Sequence, residues 1–303
     1  MRIKNIILII ILFSTSFSSF SQKNKDKKST ITPEETFINE NFKFAPPSKW
    51  KPGYKFFYTC PEINITLKAV NPILNDTTNY QNALFVLKEF KHETDWGGES
   101  FINICFTSDD KDFIFKTGKS LQQFSDTLYN PLIPCLIWLD EIEKADSLLK
   151  NKTLYILNSN WNTDTDSNLL NAKKFVPVIV ESVKPGNETN PVKIYFKDEK
   201  GETFFIYTML SGTINSTSRL TFPKTFSFSD PRIKYKDIND EKWALITSGD
   251  LANGMNQNEI KLSIGKPNEI KRIPTYSGLK EQWNYNNGTM VFFEDGLVTK
   301  FRK

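Results

Sequence analysis

The sequence predicts a mainly β protein with an α+β end: two tandem small curled β-sheets, then a helix on a three-stranded antiparallel meander. Three observations predict it. Phe occurs 25 times in 303 residues, and aromatic side chains suit a pleated, half-buried surface. Two stretches repeat one order of strands and loops. A compact helix with its own start and stop signals, "GMNQNEIKLSIGKPNEI", occupies 254–270 and is followed by two strong turn pairs. A chain of 303 residues, 39% hydrophobic, exceeds one small core and suits two or three domains.

The amino end, "MRIKNIILIIILFSTSFSSFSQ", reads as a signal peptide over 1–21. Arg2 and Lys4 are its basic start, and Ile6 to Phe13 its short apolar run. Ser19 and Ser21 place cleavage before Gln22, so the protein is expected to be exported, periplasmic or surface-associated. No Cys follows the apolar run, so no lipid anchor at a lipobox Cys is expected. No later run reaches membrane-spanning length. Loss of Arg2 and Lys4 takes the net charge from +4 to 4 − 2 = +2, too weak to argue for nucleic acid. Residues 22–47 are polar and charged at their start and predict a flexible leader, with order beginning near Trp50.

The repeats span 48–118 and 148–239. Phe85-Val86-Leu87 corresponds to Val178-Ile179-Val180, Phe90-Lys91 to Val183-Lys184, and Ile104-Cys105-Phe106 to Ile194-Tyr195-Phe196. Each copy then has an acidic turn, "TSDDKD" or "KDEKGE", and a further strand, Phe113 to Lys116 or Phe204 to Tyr207. Alternation in "VKIYF" and "FINICF" predicts strands with one buried face. A sheet of four or five short strands must curl to bury a core. In size and strand order the copies resemble the SH3-like barrels of exported bacterial proteins.

Residues 119–147 predict a helical connector. Ser120 caps a helix through Leu121, Phe124 and Leu128 that ends before Pro131. A second helix covers Leu139 to Leu149, with Ile142, Ala145 and Leu149 on one face.

In the last unit, 240–303, Trp243 lies on a preceding helix. Asn256 and Glu259 make a capping box, with Met255 placed to pack near Ile260 and with Ile260 and Ile264 on one face. Gly265 fits the left-handed position after the helix, and Pro267 prevents its continuation. Asn287-Gly288 and Asp295-Gly296 read as type I′ turns joining "EQWNY", "TMVFFE" and "LVTKFR". Gly254, Met255, Glu259, Gly265, Pro267, Trp283, Tyr285, Phe293, Gly296 and Leu297 together resemble the SmpA/OmlA (BamE-like) outer-membrane assembly lipoprotein family. The resemblance implies a helix-and-meander fold and a general protein-contact role. It covers only this end of the chain, and the family's N-terminal lipid-anchored Cys has no match here.

Chemistry is sparse. His92 is the only histidine, in a stretch read as a solvated polar loop, so no catalytic Ser-His-Asp or Cys-His system is expected. No Cys/His cluster suits zinc. Asp164 to Asn168 alternates oxygen ligands, but Leu169 and Phe175 replace the Gly and Glu that a calcium loop needs. Cys60, Cys105 and Cys135 could give one bridge and one thiol, but their apolar contexts favour three buried thiols. Trp96, Tyr155 and Trp161 are candidate ligand-stacking residues. The sequence therefore predicts an exported, non-catalytic protein-interaction or envelope-scaffold protein without cofactor or metal. Its expected partner is an envelope protein or peptide. The alternative is a carbohydrate- or peptidoglycan-binding module that uses the loop aromatics.

Overall fold

In the computed structural model, which describes residues 31–303 except 44, 64–65, 73–77, 131–132, 164–168, 212–219 and 277, two of the three sheets share one plan. Sheet 1 comprises β1 (Lys55–Tyr58), β2 (Lys68–Ala69), β3 (Leu84–Thr94), β4 (Ser100–Ser108), β5 (Lys111–Lys119) and β6 (Leu136–Trp138), in the order β6-β1-β3-β4-β5-β2. Sheet 2 comprises β7 (Thr153–Ile156), β8 (Asn160–Asn162), β9 (Leu169–Asn171), β10 (Val176–Pro185), β11 (Val192–Lys197), β12 (Thr203–Thr208) and β13 (Phe226–Ser227). Its order is β13-β7-β10-β11-β12-β8-β9, so only β9 lacks a counterpart. The protein is mainly β, with three antiparallel sheets, one of them a half-barrel, and a few short helices.

The likeness extends to register. Phe56 faces Phe85 as Leu154 faces Val178. Register slips between Leu87 and Glu89 in β3, and at the matching place between Val180 and Ser182 in β10. A bulge bends its strand and strengthens the twist, so both sheets bend at the same point. The turns differ. Asp109 and Asp110 both have positive φ, 46° and 60°, as a two-residue I′ turn demands. The other turn runs Asp198 to Gly201, closed by Gly201 N–H donating to Asp198 O.

Strand β11 alternates buried and half-buried as expected, but β4 does not: Ile102 to Phe106 are buried on both faces. The cause is cover from long neighbours. Asn103 donates to Glu93, which also holds Lys116, so charged stems lie across the outer face. His92 lies in β3, paired with Ile102, and not in a loop; it is exposed.

In the described part of the expected flexible leader, 22–47, helix α1 (Pro33–Asn41) is formed; residues 22–30, like the expected signal peptide 1–21, lie outside the described residues. Its capping box uses Thr32 and Glu35. Phe37 packs on Phe42, Phe222 and Phe228, and buried Glu34 accepts from Phe228 N–H at 2.7 Å and Ser227 Oγ at 3.1 Å. Tertiary anchoring thus orders a segment of weak intrinsic pattern. Ser120 caps α2 (Leu121–Phe124), which stops at Phe124, leaving Leu128 exposed. Helix α3 (Leu139–Leu149) buries Ile142, Ala145 and Leu149. It is no mere connector, because it packs in the core of sheet 2 and Asp146 accepts from Val183 N–H at 2.7 Å. Helix α4 (Phe222–Thr225) buries Phe222 there as well.

The cysteines correct the expectation of three thiols. Cys60 and Cys135 form a disulfide across a separation of 75 residues, and Cys105 is free and buried. Pairing of β1 with β6 sets Tyr58 opposite Leu136, which brings the two cysteines together.

The last unit has α5 (Asp240–Ser248), α6 (Gln257–Ile264) and a four-stranded meander, β14 (Glu269–Thr275), β15 (Gly278–Asn284), β16 (Met290–Glu294) and β17 (Leu297–Arg302). The sequence reading foresaw three strands and missed β14. Trp243 lies on α5, and the Asn256–Glu259 capping box is formed. Asp295 and Gly296 both take positive φ, as a I′ turn requires. Asn287-Gly288 instead closes a longer turn, with Gly288 N–H donating to Tyr285 O and only Gly288 at positive φ. Gly265 lies at φ 88°, ψ −169°. That is not the left-handed helical position, but a region still open only to glycine.

Three cores result. The first holds Tyr58, Phe85, Phe106 and Phe113; the second Leu154, Val180, Phe196 and Phe226; the third Met255, Ile260, Trp283 and Phe293. They interlock. Ile137 of β6 and Phe57 of β1 turn into the second core. Phe175, just before β10, stacks on Trp243 at 5.7 Å between ring centroids. Lys174 N–H donates to Thr247 O at 2.9 Å, and Lys174 Nζ to Ser263 O at 2.5 Å. Burial pushes the Lys174 ammonium down to about 8.

Candidate binding surfaces

The three predicted stacking residues do not converge. Trp161 is buried at 4% exposure, edge-on to Phe196 at 5.2 Å, and its indole N–H donates to Asn158 O. It is a core residue, which corrects its reading as a loop aromatic. Tyr155 lies half-buried on β7, opposite Pro177 and Ser227. Trp96 is fully exposed at the tip of the β3–β4 hairpin, where Asp95 holds the turn through the N–H groups of Gly97 and Glu99. Aromatics on the outer face of sheet 2 are covered by the protein itself: Lys193 Nζ sits 3.7 Å above the Phe205 ring.

The most exposed regular structure is the β14–β15 ribbon. All seven residues of β14 are exposed. Ile270 lies opposite buried Trp283, and Pro274 opposite Leu279, so Ile270, Pro274 and Leu279 share the face that α6 covers further along. Ile273 points to the opposite face, and Tyr276 at the tip is fully exposed. The ribbon is braced where it leaves the sheet. Asp295 N–H donates to Leu279 O, and Leu279 N–H donates to Asp295 Oδ1. A Cβ at Gly278 would lie 2.2 Å from that same carboxylate, so only glycine permits the contact.

The residues of the C-terminal motif sit under this ribbon. Met255 is fully buried, and Gly254 N–H donates to Val298 O. Buried Glu259 binds Lys242 Nζ at 2.9 Å while closing its cap. Trp283 donates to Glu281 at 2.8 Å and packs 4.6 Å from Phe293. Tyr285 OH donates to Gly265 O, and burial pushes its hydroxyl up to about 12. Pro267 follows the helix end, Gly296 shapes the last turn, and Leu297 is half exposed.

No family model, curated protein or solved structure matches this chain.

Among the described residues one group of possible metal ligands converges: Cys60, Cys135 and Glu188, within 4.8 Å. Both sulfurs are held in the disulfide, so neither is a thiolate donor. Asp164 to Asn168 lies outside the described residues. A cavity of about 90 Å³ lies beside β6 and α3, lined in part by Trp138 and Glu141. Burial raises the Glu141 carboxyl, which accepts from Ser211 N–H at 3.1 Å. This volume is below that of ordinary ligand pockets. Among the described residues no helix is long and apolar enough to cross a membrane.

Sequence reasoning missed β14, though it foresaw the "EQWNY" end of β15, because β14 is exposed on both faces and shows no period of two. Clustered exposed Ile270, Ile273, Tyr276 and Leu279 was the signal available.

Proposed function

We propose that the chain is an exported, non-catalytic protein-interaction or envelope-scaffold protein that docks a segment of an envelope protein on the β14–β15 ribbon. The carrying observation is β14: an outermost strand of seven residues, exposed throughout and unpaired along one edge. Such an edge offers backbone donors and acceptors, and its apolar side chains supply contacts for a partner strand. Lys271, Arg272 and Pro274 restrain indiscriminate pairing along it. The Cys60–Cys135 bridge supports export to an oxidising compartment.

In this reading the first two sheets are SH3-like barrels, and 240–303 is a BamE-like unit. Their common strand order supports the first assignment. The α5–α6–meander order supports the second, with β14 as an addition to the expected three strands. The carbohydrate alternative retains Trp96, whose full exposure suits stacking. A sacculus pelleting assay with Trp96→Ala tests it: pelleting that depends on Trp96 would favour glycan binding over docking.

The test of docking is quantitative recovery of envelope proteins on the native chain and on Ile273→Ser/Tyr276→Ser. A partner enriched on the first and lost from the second is expected. Equal recovery on both would contradict the proposal. Export is tested separately by N-terminal sequencing of exported protein, which should begin at Gln22; a Met1 start would sink that part.

A further inference from the structure

A second surface carries a different chemistry. Between sheet 2 and the last unit lies a cleft of about 650 Å³, a size ordinary for a small-molecule site. Lys174, Lys224 and Lys303 line it, with Asn158, Asn171 and Asn287. None of its lining residues is Asp or Glu. The whole chain has 39 Lys and Arg against 35 Asp and Glu, so a lining with cations alone departs from its average. We propose that this cleft binds a small polar anion carrying phosphate or carboxylate groups.

The charges inside the cleft are not all neutralised by the protein. Lys303 pairs with Asp250 at 2.7 Å and is partly spent. Lys224, exposed on α4, has no ion pair or side-chain hydrogen bond among the described residues. Lys174 is the group that matters most. It is largely buried, and its described hydrogen bond is to the Ser263 carbonyl, not to a carboxylate. An ammonium has three donors; one goes to Ser263 O, the Phe175 ring centroid lies 5.4 Å from Nζ, and no carboxylate completes the set. A buried cation without a counter-ion is costly, and the fall of the Lys174 amine to about 8 records that cost. An anion in the cleft would offset it. The carbonyl end of α6, where Ser263 and Gly265 lie, opposes an anion only in part. Lys174 already binds the Ser263 carbonyl, and Tyr285 OH binds that of Gly265. The three asparagines and the hydroxyls of Ser159 and Thr289 add neutral hydrogen-bonding groups around the charges, whereas the Ser263 hydroxyl already donates to Asp250 O at 2.6 Å.

The elements meeting at the cleft also explain its place. Lys174 and Phe175 are the residues that dock the last unit on sheet 2. A ligand there would touch both units and tighten their junction.

The experiment is calorimetric titration of the whole exported chain with inorganic phosphate and, separately, with citrate, against a chloride control of equal ionic strength. In parallel, the acylation rate of Lys174 at pH 8 is followed by mass spectrometry with and without each anion. Saturable binding of one or both is expected; phosphate alone identifies a phosphate site, citrate alone a carboxylate site. Lys224→Gln removes an exposed, unbonded side chain, so the fold is retained, and it should weaken binding about tenfold, the loss of one charge-assisted contact. The bound anion should slow Lys174 acylation several-fold by favouring the charged amine. Absence of saturation with both anions would overturn the proposal. So would Lys224→Gln binding at full strength, or acylation of Lys174 indifferent to either anion.

Discussion

The outer strands of the repeated sheets and those of the last sheet are built on opposite principles. Sheets 1 and 2 end in β2, β6, β13 and β9, each of two or three residues. The last sheet ends in β14 and β17, of seven and six residues. Short edges leave little template for another chain. The repeated sheets therefore close their edges, while the last sheet leaves one open and guards it with lysine, arginine and proline. Open edges are costly to keep safe, and a protein retains one where contact is useful.

The repeats differ from each other too, in how one strand plan is held. Phe56, Tyr58 and Phe85 of sheet 1 become Leu154, Ile156 and Val178 at the same register positions of sheet 2. The smaller side chains leave room that α1, α3 and α4 help fill, whereas sheet 1 is tied by its disulfide.

Several substitutions would break or sharpen these contrasts. The largest effect is expected from Trp283→Ala, since deleting a fully buried aromatic costs about 3–5 kcal/mol. Amide exchange should rise across β14–β17 and stay slow in the repeated sheets. Equal loss of protection in all three would mean one cooperative core. Next, replacing Cys60 and Cys135 together by Ser should cost about 2–5 kcal/mol, seen first as faster exchange in β1 and β6. If β7 and β13 open as early, the bridge does not distinguish the repeats. Glu34→Ala removes a buried acceptor of two hydrogen bonds and should cost about 1.5–3 kcal/mol, loosening β13 and α1 but not sheet 1.

A pH effect follows from Lys174. Its folded value of about 8 lies below the ordinary 10.5. The folded amine sheds its proton first, so stability rises as pH goes from about 8 toward 10.5, and is lost as pH falls through 8. Tyr285, pushed up to about 12, acts in the opposite sense above pH 10. Chemical denaturation between pH 7 and 10 should show the rise, and Lys174→Met should flatten it. The smallest stability effect, within about 0.5 kcal/mol, is expected for Ile273→Ser/Tyr276→Ser, which touches only exposed side chains.

Much of the strand plan was legible because it is local. The correspondence of Phe85-Val86-Leu87 with Val178-Ile179-Val180 holds at the level of register, bulge included. Helix α3 was legible from Ile142, Ala145 and Leu149, and the last helix from its capping box. What was missed depends on distant partners. Helix α1 has a thin apolar stripe and is fixed by Phe228 and Ser227, nearly two hundred residues on. The disulfide follows from β1 meeting β6, which no local signal reveals. Trp161 looked like a loop aromatic because its neighbours are polar, yet Phe196 and Phe204 enclose it. Of the candidate surfaces, the ribbon announced itself only as an apolar cluster, and the lysine cleft not at all, since its lining comes from both sides of a junction.

The most direct test of the open-edge account is site-specific photo-crosslinking in cells that express the full chain. A photoreactive residue would replace Ile273 on β14 or, as the comparison, exposed Val70 beside the short edge strand β2. The account predicts a discrete protein adduct at position 273, absent at position 70, and lost from the 273 probe when Tyr276→Ser is added. Identical adducts at both positions, or none at 273, would contradict it.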